Sequence, residues 1–186
     1  MWPVWCLLLA IGSLSARAED GPLDGEFAVH SASVVDEAGV LQLDALIQYP
    51  LNEQIRTALH DGVTLSFEVD VSVSRHRRLW FAEQLQELQL TRELSYHVVS
   101  DRYVVREPDS EQQQSFATLE AALEQLGRIE HQPVMVTKQL HGGPPYDVSV
   151  RAGIRRGRLS AALRVLAFWS GDWYRTSPWY TWTLPQ

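Results

Sequence analysis

From Val63 to Ser74 apolar and polar residues alternate without a break. Val63, Leu65, Phe67, Val69, Val71 and Val73 fall on one side, and Thr64, Ser66, Glu68, Asp70, Ser72 and Ser74 on the other. Successive side chains of a strand point to opposite faces, so a period of two predicts a long antiparallel strand with one buried and one wet face. Leu41, Leu43, Ala45, Ile47 and Tyr49 repeat the pattern one segment earlier, and Phe27 to Val35 forms a weaker strand before them. Leu88, Leu90, Leu94, Tyr96 and Val98 continue it, with Arg92 the one break. Ser100-Asp101-Arg102 reads as a hairpin turn leading to Tyr103 and Val105. Val134 and Val136 mark a later strand, and Tyr146, Val148, Val150, Ala152 and Ile154 another, with Gly142-Gly143-Pro144-Pro145 as the turn between them. Tyr180, Trp182 and Leu184 close the chain as a short strand.

Helical spacing interrupts this pattern. Asn52 is placed to cap a helix carrying Ile55 and Leu59, with Gly62 to end it. Phe116, Leu119, Leu123 and Leu126 form a second helical stripe, with Ser115 as the candidate cap and Gly127 as the stop. Leu159 to Phe168 fits both periods and is read as a short helix. Asp109 to Gln114 is the most polar run and reads as a surface loop. Many strands with half-polar faces require two sheets packed face to face. The expected fold is mainly β: an antiparallel β-sandwich, loosely immunoglobulin-like, with two or three short helices covering its ends or edges.

The N-terminal end is patterned differently. Val4 to Leu14 is an apolar block, and Leu14-Ser15-Ala16-Arg17-Ala18 places small residues at the two positions a signal peptidase reads. A membrane-spanning helix needs ~20 apolar residues. The block is therefore read as a signal peptide over residues 1–18, followed by a single domain over residues 19–186. The expected location is periplasmic or otherwise exported. Leu159 to Trp169, the best later apolar stretch, is interrupted by Arg164, so no transmembrane segment is expected after cleavage. Cys6 is the only cysteine and lies inside the signal, so the mature domain must hold together by packing. The net charge is −7, and phosphates repel such a surface, which makes nucleic acid an unsuitable partner.

Candidate chemistry is sparse. Trp169, Trp173, Trp179 and Trp182 crowd the C-terminal end beside Phe168, Tyr174 and Tyr180. Large aromatic rings either fill cores or anchor interfaces. Alternation puts Trp182 with Tyr180 and Leu184 on the buried face and Trp179 on the other. Arg75-His76-Arg77-Arg78 and Arg155-Arg156-Gly157-Arg158 are basic knots that would make one anion patch if they lay at the same end of the sandwich. The candidate interaction surface is thus Trp173, Trp179, Arg75, Arg77 and Arg78. His30, His60, His76, His97, His131 and His141 show no metal-ligand spacing, so no metal or cofactor is expected. His141-Gly142-Gly143 is better read as a turn than as an oxyanion loop, because no Gly-x-Ser-x-Gly accompanies it. Glu68 and Asp70, two apart on one strand face, sit ~7 Å apart, a glycosidase-like separation with nothing else to support it.

Leu94-Ser95-Tyr96-His97, Ser100, Tyr103-Val104-Val105, Phe116, Leu119, Ala122-Leu123, Leu126-Gly127, Leu163-Arg164, Asp172-Trp173, Trp179-Tyr180 and Trp182 follow one another along the chain. In these residues the chain resembles a family of exported proteobacterial proteins, domain of unknown function 4390, over roughly residues 25 to 184. The resemblance implies a signal peptide, one domain and no assigned activity. It also points to an envelope protein as partner, the periplasmic part of a membrane sensor kinase being the candidate. The family brings no functional residues to carry over. The expected function is a non-catalytic binding or interaction module of the cell envelope. The alternative is a carrier of a hydrophobic or envelope-lipid ligand. A filled interior favours the first, and a large apolar cavity between the sheets favours the second.

Overall fold

The computed structural model describes residues 27–77, 81–141, 143–156 and 175–184. The signal segment, Arg78, Trp173 and the helix expected at Leu159 to Phe168 lie outside these residues. In chain order the elements are β1 (Ala28–Glu37), β2 (Val40–Gln48), α1 (Glu53–His60), β3 (Leu65–Arg75), β4 (Glu83–His97), β5 (Arg102–Arg106) and β6 (Gln113–Phe116). They continue with α2 (Leu119–Gly127), β7 (Arg128–Val136), a 3₁₀ turn (Thr137–Gln139), β8 (Tyr146–Arg156), β9 (Arg175–Thr176) and β10 (Tyr180–Thr183).

The alternation in β3 does what it predicts. Leu65, Phe67, Val69, Val71 and Val73 are buried and the residues between them are not. β3 lies inside the larger sheet, which runs β10-β8-β3-β4-β5-β6, with β9 also paired to β8. The smaller sheet runs β1-β2-β7. Every strand pair is antiparallel. The apolar faces of the two sheets share one continuous core, where Leu43 and Ile47 of β2 join Phe67 and Val71 of β3 and Val148 and Val150 of β8. Phe27, Tyr49 and Phe67 stack edge to face across it, with centroids 5.7 and 4.8 Å apart. Burial raises the Tyr49 pKa and keeps its hydroxyl neutral. The architecture is an antiparallel β-sandwich.

The caps of α1 are those the sequence predicts. Asn52 Oδ1 accepts from the Ile55 N–H at 3.0 Å. Gly62 takes φ +87°, and the N–H groups of Gly62 and Val63 donate to Leu59 and Ala58 at 3.1 and 2.9 Å. That reciprocal pair closes the helix in a Schellman pattern. The start of α2 differs from expectation. Thr118, not Ser115, is the cap, accepting from the Ala121 N–H at 3.3 Å. Ser115 and Phe116 belong to β6, where Phe116 pairs with Tyr103. Gly127 does end α2, but by close approach rather than by a left-handed turn. A Cβ there would overlap the Ile47 carbonyl oxygen, so only glycine lets the helix end lie against β2.

Three other expectations change. The β4–β5 turn is Val98 to Asp101, with Asp101 at φ +52°, and Arg102 opens β5 opposite His97. Gln113 and Gln114 are in a strand rather than a loop. β7 and β8 are not a hairpin, because they lie in different sheets, and the stretch around Pro144-Pro145 carries the chain across. Within β7 a bulge at Val134 turns Val134 and Met135 inward and leaves Val136 exposed.

Arg92, the one break in the β4 pattern, shares a face with Leu90 and Leu94 and pairs in register with Phe67. Its Nη1 lies 3.3, 3.1 and 3.0 Å from the backbone carbonyls of Gln125, Leu126 and Arg128. Its Nε lies 2.9 Å from Glu107 Oε1. The last carbonyls of a helix have no intrahelical donor. A guanidinium borrowed from the facing sheet supplies one and ties α2 to β4.

Candidate functional site: the outer face of the larger sheet

The wet face of β3 presents Glu68, Asp70 and Ser72 between two neighbours of fixed register. Asp70 stands opposite Gln89 of β4 and opposite Arg151 of β8. Gln89 Nε2 donates to Asp70 Oδ1 at 2.9 Å, and Arg151 Nη2 and Nε donate to Oδ2 at 2.7 and 3.2 Å. Glu68 stands opposite Gly153, which has no side chain to offer, and is reached instead by Arg155 Nε at 2.8 Å. Burial raises the Glu68 pKa; the Arg155 charge works against that shift and the Asp70 charge adds to it. The result is a ladder of paired charges along the middle of the sheet.

Trp179 is fastened beside this ladder by its own segment. Ser177, a buried polar residue, donates its N–H to the Ala152 carbonyl at 2.8 Å. Its Oγ accepts from the Ala152 N–H at 3.0 Å and donates to the Pro178 carbonyl at 2.8 Å. This clamp separates β9 from β10 on the same edge of β8. Pro178 and Trp179 bulge out between them, and the indole comes to rest 4.5 Å from the Arg151 guanidinium. Trp179 remains 45% exposed. Trp182, three residues on, packs against the core with Leu184, while Tyr180 is exposed. A concavity of about 440 Å³ lies over Asp70, Ser72, Glu87, Gln89, Arg151 and Trp179.

The other sequence candidates lie elsewhere. Arg75 and Arg77 both converge on Glu83, at 2.7 and 2.5 Å. The hydrogen bond from Arg77, helped by the charges of Arg75 and Arg77, lowers the Glu83 pKa. The two described arginines of the first basic knot thus share one carboxylate. Arg75 pairs with Tyr146 and Leu65 with Arg156, so the two knots sit at opposite ends of β3. At ~3.3 Å per residue that separation is about 33 Å, and no joint anion patch forms among the described residues. His60 packs against Tyr96 and Tyr103, His30 bonds Gln48, and His141 bonds the Gln139 carbonyl. Arg151 and Ser177 were missed in the sequence. Arg151 has a signal there, as a long cation on the wet side of an alternating strand. Ser177 has none.

The domain defined by this fold and face is a β-sandwich with an aromatic, charge-paired outer sheet. The chain matches the family described as Domain of unknown function (DUF4390) over residues 24–183 and belongs to it. No curated protein and no solved structure matches. Among the described residues no helix is long and apolar enough to cross a membrane.

Proposed function

We propose that this chain is an exported, non-catalytic binding module of the cell envelope, whose recognition surface is the outer face of the larger sheet around Trp179. The observation that carries this reading is the Ser177 clamp. A buried serine holds a half-exposed indole at the surface, where it adds little to the core. Exposed, rigidly held tryptophan is a typical interface anchor. Binding rather than catalysis is favoured because Glu68 and Asp70 are each engaged by an arginine, which leaves neither as an available acid or base. The carrier reading requires room between the sheets, and Phe67, Leu43, Val71 and Val148 occupy that space. A mainly apolar cleft of about 450 Å³ does exist, but beside α2, with Arg56 and Glu120 paired among its lining residues.

The apolar block from Val4 to Leu14, read as a signal segment, supports a partner in the envelope. The family resemblance favours the periplasmic part of a sensor kinase. The test is photocross-linking in the native cells, with p-benzoylphenylalanine at position 179 and, as control, at position 136 on the smaller sheet. A discrete adduct from position 179 alone, suppressed by excess unlabelled wild-type protein, is expected. Equal adducts from both positions, or none from position 179, would refute the reading.

A further inference from the structure

We infer that the concavity beside Trp179 binds a neutral oligosaccharide. The inference rests on the reading of this face as a recognition surface and goes beyond it: a sugar, not the protein partner itself, is what fills the concavity. Charge argues first. Arg151 is matched by Asp70 and Arg155 by Glu68, while Glu87 adds a further carboxylate to the lining. The surface therefore offers no net positive charge to a phosphate, sulfate or acidic peptide, and like charge repels them.

Backbone availability argues second. β3 is paired along both sides, by β4 and β8, so its N–H and C=O groups are spent within the sheet. An extended peptide binds by adding itself to a free strand edge, and the middle of this face provides none. What remains for a ligand is side-chain chemistry. Gln89 and Arg151 are planar groups held by hydrogen bonds to Asp70, with Ser72 and Glu87 beside them. Arg151 and Gln89 can donate to adjacent hydroxyls, and Gln89, Ser72 and Glu87 can accept from them, while keeping their own pairings.

The aromatic platform argues third. One side of the Trp179 indole lies over the Arg151 guanidinium, so its exposure belongs to the remaining surface. The C–H face of a sugar ring is apolar enough to stack on an indole, and its hydroxyl rim faces outward to polar partners. The concavity, at about 440 Å³, falls within the size range of small-ligand sites.

The experiment is an array of neutral oligosaccharides of varied linkage, with sulfated and uronic-acid sugars and acidic peptides as comparison spots. Retained neutral sugars are then titrated by calorimetry. Wild-type protein should be retained on at least one neutral linkage class. Trp179→Ala should lose about tenfold or more in affinity, roughly 1.4 kcal/mol, while remaining folded, with a melting temperature lowered by no more than a few degrees. Trp179→Phe should recover part of the loss, and Arg75→Ala with Arg77→Ala should have no effect. Retention on no neutral spot, retention only on anionic spots, or undiminished binding by Trp179→Ala overturns the inference. A protein adduct from position 179 together with a blank neutral array would leave the recognition face standing and remove the sugar. Failure of both experiments would remove both.

Discussion

Replacing Arg92 with methionine keeps most of the side-chain length and removes every donor. Arg92 Nη1 carries two hydrogens, so two of the three nearby carbonyls can be served at once. A hydrogen bond from a charged donor contributes ~1.5–3 kcal/mol. Two of them, less what the carbonyls regain from water at this partly exposed site, come to ~3–4 kcal/mol. The ion pair to Glu107 adds little, because that carboxylate is 37% exposed and screened. A loss of this size is a large share of the ~5–15 kcal/mol that holds a domain together. With a urea slope of ~2 kcal/mol/M the unfolding midpoint of Arg92→Met should fall by ~1.5–2 M. Glu107→Gln should cost less than ~1 kcal/mol. The reasoning is refuted if Arg92→Met costs less than ~1 kcal/mol, or if Glu107→Gln costs as much as Arg92→Met.

Gly127→Ala drives a methyl group into the Ile47 carbonyl and should destabilise by ~3 kcal/mol or more, since backbone on both sides must move; an unchanged thermal melt would show that α2 has slack. Trp182→Ala, which strips a half-buried ring from the core edge, should cost ~2–3 kcal/mol, and Trp179→Ala less than ~1.5 kcal/mol. Equal denaturant midpoints for the two variants would mean that both rings are structural. In a carboxyl NMR titration Glu83 should lose its charge at lower pH than Glu68. The folded state holds the Glu68 proton more tightly than the unfolded state does. Its contribution to stability therefore falls as pH rises from the ordinary glutamate range through its raised pKa. Glu83 has the opposite sign: its contribution is present above the ordinary range and is lost as pH falls through its lowered pKa. The reverse order of titration would contradict the burial assigned to Glu68 and the arginine contacts assigned to Glu83.

The elements that read clearly from sequence are those whose cause is local. In β3 the alternation itself is the reason for burial, and in α1 the cap and the terminating glycine act within a few residues of the helix. The start of α2 misled because Phe116 lies three residues before Leu119, a helical interval, while its real neighbour is Tyr103 across the sheet. Arg92 looked like a defect because the carbonyls it serves come from more than thirty residues later in the chain. The candidate face was half legible. Alternation separated Trp179 from Trp182, but placing Trp179 over Arg151 needed the register of β8 and the hold of Ser177 on Ala152. The basic knots failed to combine because a strand as long as β3 sends its two ends far apart.

β3 gains its two neighbours at different moments in the making of the chain. β4 follows after a short connection, whereas the far side waits for β8, and Asp70 and Arg151 are 81 residues apart. Until then a hairpin rich in valine keeps one open margin of unpaired amides and carbonyls, the kind of margin that recruits foreign strands. Distant pairings form slowly, so this interval is when the nascent chain is most prone to join another copy of itself. Refolding yield should therefore fall with protein concentration, and a chain truncated before residue 146 should precipitate rather than fold.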